Sequence, residues 1–345
     1  MIGHHHSLRA CGRLLIGLKR CARTSAPVIH TTHASAGWFR GYDRGTLAPI
    51  STWIGLPMKL SLFDSTNNID DAVANASRAN DLGYHRYWAP QIMNADPISI
   101  LSVVGREVPR ILLGTSVVAM QTTLPQTLAQ QSLTINNISG GRFTIGLGTN
   151  HEPVLERVYG VPWRKPFTHM TEYLDALIPL LTNQKVVTEG EFVTARTGIN
   201  VQAEPAGVML AALGPKMLKL ASERTNGTIT WMTGPVTIAE HVRPHIGEAA
   251  QIAAGVCIQV TDDIDTARAQ ANIDLAIYGQ LPSYRAMLDR EGVKNPGDLV
   301  LMGDAEAIGN GLQAYKRAGA TECALNILGD KEAAWEAIAP FGGEL

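Results

Sequence analysis

Short apolar runs alternate with longer amphipathic segments along the chain from Met58 onward. The short runs predict buried strands, and the longer segments, in which apolar residues recur every three or four positions, predict helices. Each strand is followed by a helix, the sixth of which is predicted over Val236–Ala254, so the pattern indicates an α/β fold, the (β/α)8 TIM barrel. The eight predicted strands are Lys59–Asp64, Tyr84–Trp88, Ile111–Val118, Phe143–Leu147, Val208–Leu213, Thr228–Met232, Val256–Val260 and Glu322–Leu328.

Two segments interrupt this repeating pattern. Residues Lys185–Gln202 follow the fourth predicted helix, Pro166–Leu181, and alternate apolar and polar side chains, which predicts a hairpin inserted beside the barrel. After the seventh strand, Asp263–Arg290 predicts a helical excursion that is broken at Gly279 and Pro282. Both segments are therefore additions to the barrel and not blades of it.

An open, doubly wound sheet is the competing α/β fold. Its dinucleotide-binding fingerprint, GxGxxG, would lie between the first strand and the first helix. Residues 64–68 read DSTNN at that position, and the lone Gly146-x-Gly148 follows the fourth strand instead. The barrel is therefore the preferred fold.

Composition and charge narrow the class of protein. The chain has 345 residues, of which 45% are hydrophobic and 17% charged, and no apolar run is long enough to span a bilayer, which predicts a soluble protein without a membrane partner. Seven of the 29 basic residues and one of the 31 acidic residues lie in positions 1–57, which leaves a net charge of −8 on the rest. An acidic body has no general attraction for nucleic acid.

Residues 1–57 lack the periodicity of the remainder. The basic stretch Leu8–Arg23 resembles an organelle transit peptide in composition. Because Met58 opens a clean strand, the preferred interpretation is a disordered extension or an upstream start-site artefact. The barrel domain is therefore predicted over residues 58–345.

The cysteines show no metal-binding spacing. They predict reduced thiols and a cytoplasmic protein, and the two in apolar strands, Cys257 and Cys323, are expected to be buried. No metal site is predicted.

The residues that follow the strands indicate the kind of ligand. In such barrels the carboxyl ends of the strands carry the chemistry. These positions lack the acid clusters of glycosidases, the ligand sets of zinc hydrolases and a GxSxG nucleophile elbow, and they favour a flat, conjugated ligand that brings its own reactivity. They are Asp64 and Ser65, Trp88–Gln91, Ser116–Gln121, Gly148–Glu152, Leu213–Lys216 and Trp231–Gly234.

One turn suggests where a phosphate could bind. Residues 211–216, AALGPK, read as a strand, a glycine turn and a helix with proline in its first turn. Unpaired N–H groups and the positive end of the helix dipole would face the mouth of the barrel there. An ordinary strand-to-helix turn explains the same residues, so both interpretations stay open on physical grounds.

Several segments in this order resemble the luciferase-like monooxygenase superfamily, and within it the actinobacterial branch that uses the deazaflavin coenzyme F420. The resemblance extends from Met58 to the C-terminus. The segments that carry it are Leu82–Tyr84 with Tyr87–Gln91, Leu113–Val118, Ser139–Phe143 with Gly146–Gly148, His169–Leu174, Ala211–Pro215, Asn226–Thr228 with Trp231–Pro235, and Tyr278–Tyr284.

The resemblance implies coenzyme F420 as the cofactor, with FMN as the alternative. In similar enzymes the third strand ends in a bulge whose non-prolyl cis peptide supports the ring, and Ser116-Val117 matches it. Thr149 and Asn150 are implied to contact the ring or its ribityl chain.

Two further cofactor contacts are expected from the resemblance. Backbone groups of Ala212, Leu213 and Gly214 are implied to bind the cofactor phosphate. Trp88 would form a wall of the pocket, or it is an ordinary core tryptophan.

His151 and Glu152 are the candidate catalytic residues near the mouth. A histidine titrates near neutrality and could protonate a substrate as hydride leaves the reduced cofactor, whereas Glu152 could simply favour the start of a helix. His169 is interpreted as a structural or pocket-lining residue. Tyr278 and Tyr284 form a lid over the substrate, or they are solvent-facing.

The predicted function is an oxidoreductase that transfers a hydride between F420 and a small organic substrate. The alternatives are an FMN-dependent monooxygenase that uses molecular oxygen and a cofactor-binding barrel without catalysis. A homodimer is expected because similar enzymes often form dimers.

Overall fold

Eight parallel strands close into a barrel in the computed structural model, which describes residues 58–182 and 184–342. The predicted extension over residues 1–57 lies outside the described residues. Including four short strands outside the eight, the strands are β1 Lys59–Phe63, β2 Arg86–Ala89, β3 Leu112–Thr115, β4 Val118–Ala119, β5 Phe143–Gly148, β6 Val186–Glu189, β7 Thr194–Thr197, β8 Gly207–Leu210, β9 Gly227–Thr230, β10 Gln251–Val260, β11 Leu301–Gly303 and β12 Glu322–Ile327.

The barrel strands follow one another in the order β1, β2, β3, β5, β8, β9, β10 and β12, and β12 pairs with β1 to close the ring. Parallel pairing of neighbours in sequence is the topology of a (β/α)8 barrel. The predicted fold class is thus confirmed.

Helices cover the outer face of the barrel. Several begin at an Asn or Asp whose side chain accepts a hydrogen bond from the first turn, as at Asn68, Asp96, Asp304 and Asp330. The helices are α1 Ile69–Asp81, α2 Pro97–Glu107, α3 Pro125–Ser139, α4 Glu152–Val158, α5 Pro166–Leu181, α6 Pro215–Arg224, α7 Pro235–Thr237, α8 Arg243–Ile246, α9 Ile264–Asp274, α10 Pro282–Glu291, α11 Ala305–Arg317 and α12 Lys331–Ile338.

Both predicted additions are present. Strands β6 and β7 pair antiparallel as the hairpin, and the Glu172 carboxylate on α5 accepts hydrogen bonds from the backbone N–H groups of Glu191, Phe192 and Val193 in its turn. Burial opposes ionisation of Glu172, but these donors and His169 outweigh it and lower the pKa of the carboxyl. The excursion after β10 consists of α9, a 3₁₀ turn at Ala276–Gly279, and α10.

The prediction of a helix over Val236–Ala254 is wrong at its C-terminal end. The helix ends at Ile246, and Gln251 already begins β10. Small residues such as Ala253 and Ala254 suit a helix locally, but both are fully buried in this strand. The tertiary demand for a small side chain on each face of β10 overrides the local preference.

The third predicted strand is interrupted near its C-terminal end. Strand β3 ends at Thr115, a cis peptide bond joins Ser116 and Val117, and β4 resumes the pairing with β5. The Thr115 hydroxyl donates to the Gly146 carbonyl and accepts from the Gly146 N–H, both at 2.9 Å. One side chain thereby replaces the ladder hydrogen bonds that β5 loses at the break.

Candidate active site

Three loops meet at Gly148, the last residue of β5. A Cβ atom at this position would lie 2.6 Å from Val117 Cγ2 and 3.1 Å from the Ala211 Cβ atom. The Ala211 N–H donates to the Leu147 carbonyl at 2.8 Å. The segments that carry Ser116–Val117, Thr149–Asn150 and Leu213–Gly214 are therefore brought together at the carboxyl end of the barrel.

A row of aromatic rings crosses this end of the barrel. Phe63, which ends β1, stacks on Trp231 at 5.2 Å between ring centroids, and Trp231 meets Tyr278 at 5.8 Å. Tyr278 meets Tyr284 at 5.4 Å, and Tyr284 meets His151 at 5.2 Å. We call these five residues the aromatic row.

The aromatic row settles the position of the excursion. Tyr278 and Tyr284 are partly buried against rings that belong to the barrel mouth, so the solvent-facing alternative for them is wrong. Burial raises the pKa of both hydroxyls, and they therefore stay protonated at neutral pH.

His151 lies three residues after the end of β5 and forms the N-cap of α4. Its ring is half-buried beside Tyr284, and this burial lowers the pKa of the imidazole. A neutral imidazole is better suited to accept a proton than to donate one at neutral pH. Glu152 is exposed in the first turn of α4, where the helix dipole favours a carboxylate, which agrees with the reading that it favours the helix start.

Side-chain amides fix the loops around Thr149 and Asn150. The Asn150 N–H donates to Gln121 Oε1 at 3.1 Å, and Asn150 Oδ1 accepts from the His151 N–H at 2.8 Å. Similarly, the Ala119 N–H donates to Gln91 Oε1 at 2.8 Å. These bonds connect the ends of β2, β4 and β5 without using a charged group.

The N-terminus of α6 offers free donors. Gly214 is its N-cap and supplies no side-chain acceptor, and it is exposed with open space where a Cβ atom would project. The backbone N–H groups of Leu213, Gly214, Lys216 and Met217 have no acceptor among the residues that the structure describes. Free donors at the positive end of a helix are suited to bind an anion.

Ala212 differs from its two neighbours in this turn. It is buried, and its N–H donates to Thr228 Oγ1 at 3.2 Å while the same hydroxyl lies 3.1 Å from the Ala212 carbonyl. The predicted phosphate contact through the backbone of Ala212 is therefore blocked in this structure, whereas the N–H groups of Leu213 and Gly214 are available.

The neighbouring helix N-terminus is already occupied. The Glu291 carboxylate at the end of α10 accepts from the N–H groups of Val236 at 3.1 Å and Thr237 at 2.8 Å, in the first turn of α7. A carboxylate of the chain itself satisfies these donors. Of these two helix N-termini, only that of α6 has no carboxylate of a described residue bound to it, so an anionic ligand would bind more favourably there.

Comparison with known proteins supports a family assignment. The family model described as luciferase-like monooxygenase matches residues 54–322. The chain belongs to the luciferase-like monooxygenase family.

Two proteins with sequence similarity to this chain are named as a reductase and an oxidoreductase. A 5,10-methylenetetrahydromethanopterin reductase of Methanolobus tindarius is 27% identical over 256 residues, which cover 69% of this chain and 77% of that protein. A Mycobacterium tuberculosis protein, provisionally named a coenzyme F420-dependent oxidoreductase, is 28% identical over 229 residues, 58% of this chain and 65% of its own length.

A solved structure confirms the fold of this luciferase-like barrel. The coenzyme F420-dependent tetrahydromethanopterin reductase of Methanopyrus kandleri superposes with a TM-score of 0.72 at 20% identity. The match covers 82% of this chain and 97% of that one. At this identity the likeness establishes the fold alone.

Trp88 does not line the mouth of this luciferase-like barrel. Its side chain has no exposed surface, and its indole N–H donates to Glu322 Oε1 at 2.7 Å, next to a buried ion pair between Glu322 and Arg86. Glu322 begins β12, so this contact lies toward the opposite end of the barrel. The packing corrects the pocket-wall interpretation in favour of the core tryptophan.

The acidic residue at the end of β1 is also structural. The buried Asp64 carboxylate accepts from the Tyr87 hydroxyl at 2.8 Å, from Asn75 Nδ2 at 2.7 Å and from Lys331 Nζ at 3.1 Å. Within residues 58–182 and 184–342, no cluster of three or more His, Cys, Asp or Glu side chains could hold a metal ion. Helices long and apolar enough to cross a membrane are likewise absent from this part of the chain.

Several residues of the site escaped the sequence reasoning. The role of Phe63 could have been predicted, because this aromatic residue lies next to the C-terminal end of the first predicted strand, Lys59–Asp64. Glu291 and the buried His241, by contrast, act on backbone groups more than 25 residues away, and no local pattern indicates such a contact.

Proposed function

We propose that this protein is an F420-dependent oxidoreductase, which transfers a hydride between the deazaflavin and a small organic substrate. The observation that carries the proposal is the combination of an aromatic-lined barrel mouth, which has few charged residues, with a free helix N-terminus at Gly214. The aromatic mouth suits a planar redox ring, and the free helix N-terminus suits the phosphate of its side chain. The name of the Mycobacterium tuberculosis relative agrees with this cofactor.

The residues of the mouth fit such a cofactor. Val117, which packs over the buried Gly148, presents a small apolar surface for a ring, with Thr149 and Asn150 beside it. The cofactor, when bound, supplies the hydride chemistry. The free N–H groups at the start of α6 would hold its phosphate.

His151 would handle the proton of the substrate. Because its ring is neutral at neutral pH, it is suited to accept the proton from an alcohol substrate as the carbonyl product forms. Tyr284 holds the ring from one side. Glu152, exposed in the first turn of α4, is assigned no proton transfer in this scheme.

Titration of the full-length protein tests the choice of cofactor. Purified protein is titrated separately with oxidised F420 and with FMN, and binding is followed by absorbance and by equilibrium dialysis. Saturable binding of F420 without binding of FMN supports the proposal. Binding of FMN alone would instead favour the oxygen-using monooxygenase, and binding of neither would refute both.

Turnover distinguishes an enzyme from a binding protein. Oxidised F420 is incubated with the protein and a panel of small alcohols, and the loss of cofactor absorbance is followed. Substrate-dependent reduction of F420 supports the oxidoreductase. The reverse reaction is tested in the same way with reduced F420 and a panel of carbonyl compounds. If the protein binds the cofactor but no substrate changes its absorbance in either direction, the non-catalytic barrel is favoured.

The cytoplasmic location and the homodimer stay predictions. Fractionation of cells and light scattering of the purified protein would test them.

A further inference from the structure

His241 makes an unusual contact with the turn that precedes α6. It lies in a π-helical segment, Ile238–Val242, between α7 and α8, and only 4% of its surface is exposed. Its Nε2 atom is 2.8 Å from the Leu213 carbonyl oxygen. Because a carbonyl can only accept, Nε2 must carry the proton.

This hydrogen bond decides the orientation of one peptide group. In a planar trans peptide the carbonyl and the N–H point in opposite directions. With the Leu213 carbonyl directed at His241, the Gly214 N–H is directed away from it, and it is one of the free donors at the start of α6.

A second donor lies beside it. In an α-helix the N–H of Met217 would bond to the carbonyl four residues earlier, which is that of Leu213. Because Gly214, the N-cap between them, has an extended backbone conformation, the Met217 N–H has no acceptor among the described residues. His241 instead satisfies the Leu213 carbonyl, which the helix leaves without a partner.

The position of His241 is itself fixed from both ends of its helix. Glu291 accepts from two N–H groups in the first turn of α7, and the Arg243 guanidinium donates to the carbonyls of Gly247 at 2.7 Å, Ala250 at 3.0 Å and Gly319. The π-helical turn widens the helix at the position of the histidine, a feature often found at functional sites.

The imidazole acts through its hydrogen bond and not through charge. Burial lowers the pKa of His241, and nearby Arg290 and His245 lower it further, against the opposing effect of the Leu213 carbonyl. The ring is consequently neutral at neutral pH.

We propose that His241 is a positioning residue for the phosphate of the bound cofactor, which it serves by orienting the Leu213–Gly214 peptide at the N-terminus of α6. This inference rests on the proposed function. His241 touches neither cofactor nor substrate in this role, and its effect is confined to ligands that carry the phosphate.

The test compares two ligands on two variants. His241→Leu removes the donor, whereas His241→Gln retains an N–H group at a similar distance from the backbone. The dissociation constants of oxidised F420 and of the same deazaflavin without its phosphate and side-chain tail are measured by fluorescence titration of the full-length protein. His241→Leu should weaken F420 binding about 10-fold or more, and His241→Gln should recover most of it.

The phosphate-free ligand is the decisive control. Its affinity should be the same for wild type and both variants. Unchanged F420 affinity in His241→Leu, or an equal loss of both ligands in a folded protein, would overturn the inference. If the wild type binds neither deazaflavin, the proposed function has failed, not the assignment of His241 alone.

A second pair of variants keeps the test valid if His241→Leu does not fold. Gly214→Pro deletes the oriented N–H, whereas Gly214→Ala keeps it, and the open space at this position accommodates either side chain. The proline variant should lose more phosphate-dependent affinity than the alanine variant. Equal F420 affinities for the proline and alanine variants would contradict the role given to this peptide.

Discussion

At the scale of the residue, burial sets the protonation states on which the chemistry depends. His151 is half-buried beside Tyr284, and burial lowers its pKa from the ordinary value of 6.5. The sequence predicted a proton donor at this position, but a lowered pKa leaves the ring neutral over most of the physiological range. The residue type was therefore informative, whereas its protonation state depended on its surroundings.

The pH dependence of alcohol oxidation should reveal this state. If neutral His151 accepts the proton, kcat/KM stays high at neutral pH and falls only as the pH drops through the lowered pKa, below 6.5. His151→Gln should reduce kcat about 100-fold or more and abolish this acidic limb.

His169 provides the matched control. It is also a histidine with a pKa lowered by burial, but it stacks on Phe192 of the hairpin region, outside the aromatic row. His169→Gln should retain the acidic limb and most of the activity. A limb that disappears in His169→Gln and persists in His151→Gln would contradict the assignment.

At the scale of the element, the interruption between β3 and β4 creates the surface on which the proposed ring would lie. Positions 111–118 read ILLGTSVV, and their content of branched residues alone predicts one continuous strand. The chain instead leaves the sheet at Ser116, and Val117 packs against Gly148 at the mouth. Thr115 makes this arrangement compatible with a buried backbone, because its hydroxyl serves both polar groups of Gly146.

The cost of losing that hydroxyl can be measured. Thr115→Val preserves the shape of the side chain but leaves the N–H and carbonyl of Gly146 buried without these partners. We expect the free energy of unfolding, from urea denaturation, to fall by about 1–3 kcal/mol per unsatisfied group.

Thr115→Ser separates the hydroxyl from the packing. Serine keeps the hydrogen bonds and loses one methyl group, worth about 1 kcal/mol. The valine variant should therefore be the less stable of the two. The reverse order would mean that packing, and not the hydroxyl, maintains the break in the strand.

At the scale of the whole molecule, the excursion and the barrel act as one unit at the proposed site. Helix α9 and its C-cap contribute Ala267, Ala271 and Leu275 to a second apolar cluster with Met232 and Cys257 of the barrel, and Tyr284 of α10 packs against it. The aromatic row then continues from the barrel onto the excursion. A ligand in the mouth should consequently stabilise the excursion against local opening.

Hydrogen exchange measured by mass spectrometry can test this coupling. The measurement uses free F420 at 100 times its dissociation constant. Some amides of residues 264–291 exchange only when the ligand-free mouth opens, and exchange of these amides should slow by up to about 100-fold. Amides of α11, which packs on the outside of the barrel, should change little. Equal slowing of both segments would indicate a global stabilisation and no particular coupling to the excursion.

The alternation of strands and helices could be predicted because its signal is local. Apolar periodicity identified all eight barrel strands and the hairpin at β6 and β7, and the helix-breaking Gly279 and Pro282 identified the break in the excursion. The boundary before β10 was missed since Ala253 and Ala254 carry no local sign of their strand. Interior packing, which is non-local, decided it.

The sequence by itself determined the barrel, its additions and the scarcity of charged residues at the strand ends, because short-range patterns of apolar and polar residues encode these features. Only the tertiary structure decided which tryptophan lies in the core and which at the mouth. Trp88 meets Glu322 and Trp231 meets Phe63, over separations of 234 and 168 positions. The tertiary structure also decided which helix N-terminus keeps free N–H groups. Thr228 accepts from Ala212, His241 contacts the Leu213 carbonyl, and Glu291 accepts from the first turn of α7, so the Gly214 N–H stays free within the described part of the chain.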